Sequence, residues 1–142
     1  MSATTEATSP APSKALHYGL WALQGLLAFM FFMAGANKIA QAPEALTAMG
    51  MSFVARMPAG APKVIGLLEV LGAIGLILPS ALRIAPKVSA LAAAGLVLTM
   101  VVAAADHGMH GEFGPAGFTV FLAALAGFIV WGRAVGAPIA PR

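Results

Sequence analysis

Residues 64–82 read VIGLLEVLGAIGLILPSAL, an apolar run bracketed by Lys63 and Arg83 and broken by one ionisable side chain, Glu69. A stretch this long and this apolar fits a helix that crosses the hydrocarbon core of a bilayer, which takes about 20 residues. Pro79 reads as the end of that helix, because proline removes a backbone donor and crowds the preceding turn.

Working outward, the same reading recurs three times. Upstream, the segment from Ala15 to Asn37 carries no charge and contains LWALQGLLAFMFFMAGA, apolar on every side of a helix. Lys14 before it and Ala34-Gly35-Ala36 within it imitate a cleaved signal peptide, but the run exceeds the about 7–15 apolar residues such a peptide uses. Downstream, Val88 to Ala105 forms a third span. Its Ala92, Ala93, Ala94 and Gly95 either allow close helix contact or face lipid. Phe118 to Gly132 carries the core of a fourth, with Trp131 and Arg133 read as interfacial anchors. The expected fold is all-α: an integral membrane four-helix transmembrane bundle, with spans at about 15–40, 63–82, 86–107 and 114–133.

Between the first two spans, QAPEALTAMGMSFVARMPAGA mixes apolar side chains with Glu44, Arg56, Gly and Pro, and reads as a short interfacial helix and a turn. Pro43 and Glu44 suit a helix start, and Gly50 a stop. Residues 1–14 are expected to be a mobile tail and 135–142 a second tail.

Composition agrees with this architecture and narrows function. Of the 142 residues, 60% are hydrophobic and 9% charged, and the formal charge of +3 comes from scattered basic residues without a Lys or Arg run. Nucleic acid is therefore not an expected partner. Cysteine is absent, which removes disulfides, thiolate metal sites and dithiol redox chemistry from this chain. No phosphate loop, nucleophile elbow or zinc-protease motif is present. Lys14, Arg83, Lys87, Arg133 and Arg142 fall on the side of both termini, against Lys38, Arg56 and Lys63, a bias that favours cytoplasmic termini.

The unusual polar residues gather at the opposite end. Asn37 and Lys38 close the first span, Glu69 lies under two turns into the second, and Asp106, His107 and His110 close the third. A carboxylate inside hydrocarbon costs several kcal/mol unless paired, protonated or wet. Lys38, at the end of the neighbouring antiparallel span, is its natural partner. Three readings stay open for Glu69: an ion pair that sets helix register, a proton or ligand role, and a lone protonated acid. His107 and His110 share a helical face if the helix continues, a spacing that suits two imidazoles on one metal, with Asp106 orienting one of them; solvated boundary residues are the plainer reading, and no metal is assigned. No haem attachment signal accompanies them. His17, beside Tyr18 and Trp21, reads as interfacial.

A first helix ending AGANKIA, a second reading VIGLLEVLGAIGLILP, a third ending VVAAADHGMHGE and a fourth ending FIVWGR together resemble the DoxX-like family, over about Leu20 to Arg133. The segment around Glu69 is the most specific part, and Lys38 and Glu69 match positions the family usually keeps. The resemblance implies a four-helix bacterial inner-membrane protein. It also implies a place beside redox enzymes, since some relatives are subunits of quinone-linked oxidoreductases such as thiosulfate:quinone oxidoreductase; distant eukaryotic relatives are cargo receptors or assembly factors. Two functions follow as expectations. In one, a quinone headgroup enters the polar end, Lys38 or His107 donates to its carbonyl, Glu69 or Asp106 relays protons, and Asn37 and His110 complete the site. In the other, the chain is a non-catalytic scaffold or assembly partner for another membrane protein or for a second copy, and Lys38 and Glu69 are structural.

Overall fold

The computed structural model describes residues 10–142, so the tail expected over 1–14 lies largely outside the described residues. Ser13 caps the first helix by accepting a hydrogen bond from the Leu16 N–H, which satisfies one orphan donor of the first turn. Five α-helices follow: α1 (Lys14–Ala40), α2 (Pro43–Ala48), α3 (Ala61–Leu82), α4 (Lys87–Met109) and α5 (Phe113–Trp131). A 3-10 turn over Ser52–Arg56 lies between α2 and α3, and a π turn over Gly132–Gly136 ends α5.

Four of these, α1, α3, α4 and α5 with its π turn, are long and apolar enough to cross a membrane. Only 17–33% of each most apolar window is buried within the protein, so most apolar surface faces outward. Phe29, Leu67, Leu71, Leu91, Leu98 and Phe121 all stand exposed. Water would not tolerate so large an apolar surface and lipid does; the chain is a multi-pass membrane protein.

Inside a bilayer, helices hold together by close packing and polar contacts, because burial from lipid carries little hydrophobic gain. The two tightest unions are α1 with α3 and α4 with α5, and α3 with α4 joins the pairs. Glycine permits the first. A Cβ on Gly35 would lie 2.5 Å from the Gly66 carbonyl oxygen, and one on Gly66 would lie 2.6 Å from that of Gly35. Backbones therefore touch where α1 crosses α3. Near their connecting turn, α3 and α4 meet through Gly75 against Ala92, Gly72 against Leu96, and a Ser80 to Ser89 hydroxyl bond of 2.7 Å. Ala93 is fully buried there while Ala94 and Gly95 face outward, so part of the small-residue run packs and part faces lipid.

Three sequence expectations change. Pro79 does not end its helix: α3 continues to Leu82, since a proline in the last turn forfeits only one intrahelical bond. The stop falls at Arg83, left-handed with φ 56, a conformation uncommon without glycine. Its carbonyl accepts the Arg142 N–H at 3.0 Å and its Nε donates to the Ala140 carbonyl at 2.9 Å. The segment after residue 135 is accordingly not a free tail; it folds back over the α3–α4 turn and Ala137 is fully buried. Arg133, read as an interfacial anchor, is 3% exposed, because the π turn rotates it inward.

Replacing Gly66 by valine drives a side chain into backbone and should cost about 1–3 kcal/mol or more. Gly95→Val, with nothing within 4 Å of its Cβ, should leave stability unchanged. Thermal unfolding of both variants in mild detergent checks this, and equal midpoints would refute the crossing's role.

Candidate functional site

Lys38 in the last turn of α1 and Glu69 in α3 form a buried ion pair, Nζ to Oε2 2.7 Å. Both side chains are sealed, 7% and 3% exposed, about one helical turn from the Gly35–Gly66 crossing. That proximity lets an ammonium and a carboxylate meet directly. Phe53 of the 3-10 turn covers them, its ring centroid 6.0 Å from Lys38 Nζ, within the range of a cation–π attraction.

His107, in the last turn of α4, is buried and stands edge-on to the same Phe53 ring at 5.7 Å. Its Nδ1 lies 2.5 Å from Glu112 Oε2. An ionised carboxylate only accepts hydrogen bonds, so Nδ1 carries the proton; whenever the ring is neutral, Nε2 then holds the lone pair. Glu112 returns to His107 because Gly111 takes φ 72, a left-handed turn glycine adopts without strain, and the Glu112 N–H donates back to the His107 carbonyl at 2.9 Å.

Glu112 also anchors the covering segment. Arg56 donates from both terminal nitrogens to its two oxygens at 3.1 Å, Ser52 donates at 2.6 Å, and Arg56 reaches Asp106 at 2.6 Å. Arg56 foremost, then Ser52 and His107, hold the Glu112 carboxyl well below the usual carboxylate range, while Glu112 foremost and Asp106 raise the Arg56 guanidinium. Arg56 and its two carboxylates thus form a solvent-side clasp fastening the 3-10 turn to the α4–α5 turn.

Beneath the clasp lies a cavity of about 450 Å³, within the range of small-molecule sites. Lys38, Glu69, Asp106 and His107 line its polar end, with Thr99 and Thr119 farther in and apolar side chains elsewhere. Leu68 of α3 and Leu98 and Val102 of α4 are both lining and more than half exposed. The cavity therefore opens sideways between α3 and α4, where the two helices have diverged from their contact near Gly75.

The residues nominated from sequence divide accordingly. Lys38, Glu69, Asp106 and His107 come together at the cavity. Asn37 is half-buried and does not line it. His110 is exposed, its Nδ1 2.7 Å from the Asp106 carbonyl oxygen, and it does not share a site with the inward His107. Among the described residues no group of three or more His, Asp or Glu is arranged to hold a metal.

At the level of family, the comparison is direct. A family model described as the DoxX-like family matches residues 22–129. This chain belongs to the DoxX-like family. No curated protein and no solved structure matches it. In this DoxX-like protein the matched region takes in both partners of the ion pair, the covering segment and the whole clasp.

Sequence reasoning missed Phe53, Ser52 and Glu112, and took Arg56 only as a topology marker. It also missed a second polar cluster at the far end. There Gln24, fully buried in α1, donates to the Leu76 carbonyl and accepts from Arg133 Nε at 2.5 Å. Arg133 further donates to the Ala137 carbonyl at 3.2 Å and lies over Trp21 at 5.2 Å, with His17 Nδ1 3.5 Å away. A lone Gln inside an apolar run was the available signal, because a buried amide requires partners. This cluster ties the end of α5 to α1 and α3.

Two predictions follow from this geometry. Glu69→Gln leaves Lys38 as a buried unpaired cation and should cost about 3–5 kcal/mol, whereas the double replacement Lys38→Met with Glu69→Met should restore most of it. Folded yield and thermal midpoint in detergent read both; a double variant no better than the single would disprove the coupling. For the clasp, the folded value of Glu112 lies below its unfolded value of about 4.3. Its contribution is then complete above that value and declines only as pH falls toward the depressed one. Amide protection at 52–57 should persist on acidification to about pH 4. Loss of protection between about pH 7 and 5 would instead assign the clasp to an imidazole.

Proposed function

We propose that this protein is a quinone-binding subunit of a membrane oxidoreductase system in a bacterial inner membrane, with both termini in the cytoplasm. The supporting observation is the lateral cavity: an apolar chamber open between α3 and α4, ending in Lys38, Glu69 and His107. A lipid-soluble ligand with a polar ring enters such a chamber from the hydrocarbon and brings its headgroup to the buried charges. Lys38 spends one N–H on Glu69 and keeps two for a ligand oxygen. Electrons come from a partner, since the chain carries no cysteine for thiol chemistry. Family relatives that serve quinone-linked oxidoreductases supply the precedent, and the five-to-three distribution of basic residues supports the orientation.

One observation favours a second reading, a scaffold without a ligand. Lys38 and Glu69 already satisfy one another beside the Gly35–Gly66 crossing, which is sufficient to lock α1 and α3 in register.

Extraction from native membranes in mild detergent, with quantification of bound quinone and of co-purifying proteins, separates the two. About one quinone per chain is expected. Leu68→Trp, which obstructs the mouth, should lose it at unchanged yield, and Leu71→Trp, exposed on the same helix but off the cavity, should keep it. A quinone-free protein that brings a defined membrane partner with it supports the scaffold.

A further inference from the structure

The cavity's polar wall is unequal in what it offers a ligand. Lys38 is its one strong donor, with one N–H already committed to Glu69. Asp106 is engaged by Arg56. Thr119 donates its hydroxyl backward along its own helix to the Pro115 and Ala116 carbonyls, and Thr99 does the same to Gly95. Each threonine therefore has no hydroxyl proton to spare for a ligand and keeps only oxygen lone pairs. Among the described residues Glu69 Oε1 has no hydrogen-bond partner, and His107, its Nδ1–H spent on Glu112, offers the Nε2 lone pair when neutral. Acceptors thus outnumber donors around the headgroup position.

From this imbalance we propose that the site takes the hydroxyl-bearing, reduced form of its ligand, a hydroquinone-type headgroup, in preference to the oxidised dione. This rests on the quinone-site reading above and specifies which redox form the pocket is built for. A dione carries only acceptor oxygens. It satisfies Lys38 and sets its other oxygen against lone pairs of Glu69, His107 or a threonine, stripping those groups of water without a replacement bond. A hydroquinone accepts from Lys38 with one oxygen and donates two O–H groups to the acceptors. Sites whose buried polar groups are met by ligand hydroxyls discriminate strongly against analogues that lack them.

Glu112 is the positioning residue of this selectivity. It touches no ligand, but its carboxylate fixes which nitrogen of His107 carries the proton, and Arg56 and Ser52 keep that carboxylate ionised and in place. The charged groups around the ring are Glu112 and Arg56 on the solvent side, Asp106 on its own helix, and Lys38 and Glu69 across the cavity. Glu112→Gln removes the constraint, because an amide can donate to Nδ1 as well as accept from it. The ring then turns Nε2–H toward the ligand as readily as a lone pair.

The test is equilibrium binding of a short-chain benzoquinone and of its hydroquinone to the full-length protein in lipid nanodiscs, kept anaerobic at about pH 8, above the range in which a free imidazole takes up a proton. The hydroquinone should bind at least about tenfold more tightly. In Glu112→Gln the two forms should approach parity while both still bind, a change a merely structural role would not produce. Equal binding of both forms to the unaltered protein overturns the redox preference and leaves the quinone site standing. A preference untouched by Glu112→Gln overturns the tautomer argument. Failure of both forms to bind removes the site itself, and the inference with it.

Discussion

A charge pair held inside hydrocarbon constrains everything around it in this molecule. Neither Lys38 nor Glu69 is tolerable alone at that depth, where each bare ion costs several kcal/mol. Joined at 2.7 Å, they demand that α1 and α3 approach closely and in one register. Gly35 and Gly66 make the approach possible by letting backbone meet backbone. A one-residue slip of either helix would turn one charge toward lipid, so the pair acts on register more than on net stability. The rest of the bundle is arranged around that fixed crossing.

The second consequence concerns the covering segment. An ion pair open to water would be screened and weakened, and here Phe53 closes over it while Leu46 and Val54 anchor the segment from below. The segment is fastened elsewhere by Arg56, whose two carboxylate partners come from α4 and from the turn before α5. The clasp therefore joins all four spans at one end: α1 and α3 through the residues it covers, α4 and α5 through those it binds. At the opposite end Gln24 and Arg133 do a comparable job with neutral acceptors. Between these two tied ends, α3 and α4 separate and leave the lateral cavity.

Tied ends and an open middle fit the proposed uptake of a ligand from the membrane. The mouth faces lipid, where an apolar tail can remain, and the charged wall lies under the solvent-side clasp. Under the proposed function, protons exchanged at that wall would be close to water across His107 and Glu112.

The amino-acid sequence by itself determined the class and the architecture. Four apolar runs of spanning length admit only helices in a bilayer, and Glu69 with Lys38 stood out because charge inside such runs is costly. The meeting of those two was legible for the same reason: each excludes most alternatives for the other. What the tertiary structure decided was every contact made between segments that are polar and free to solvate. Nothing local in SFVAR or in HGE says that Arg56 will clasp Glu112, since surface ions lose little by staying in water. Nor does the apolar text around Gln24 and Arg133 specify their pairing, which depends on the π turn that swings Arg133 inward. Pro79 misled because its effect depends on how much helix follows it, and the cavity could not be read at all, since empty space is set by how helices diverge and not by any residue.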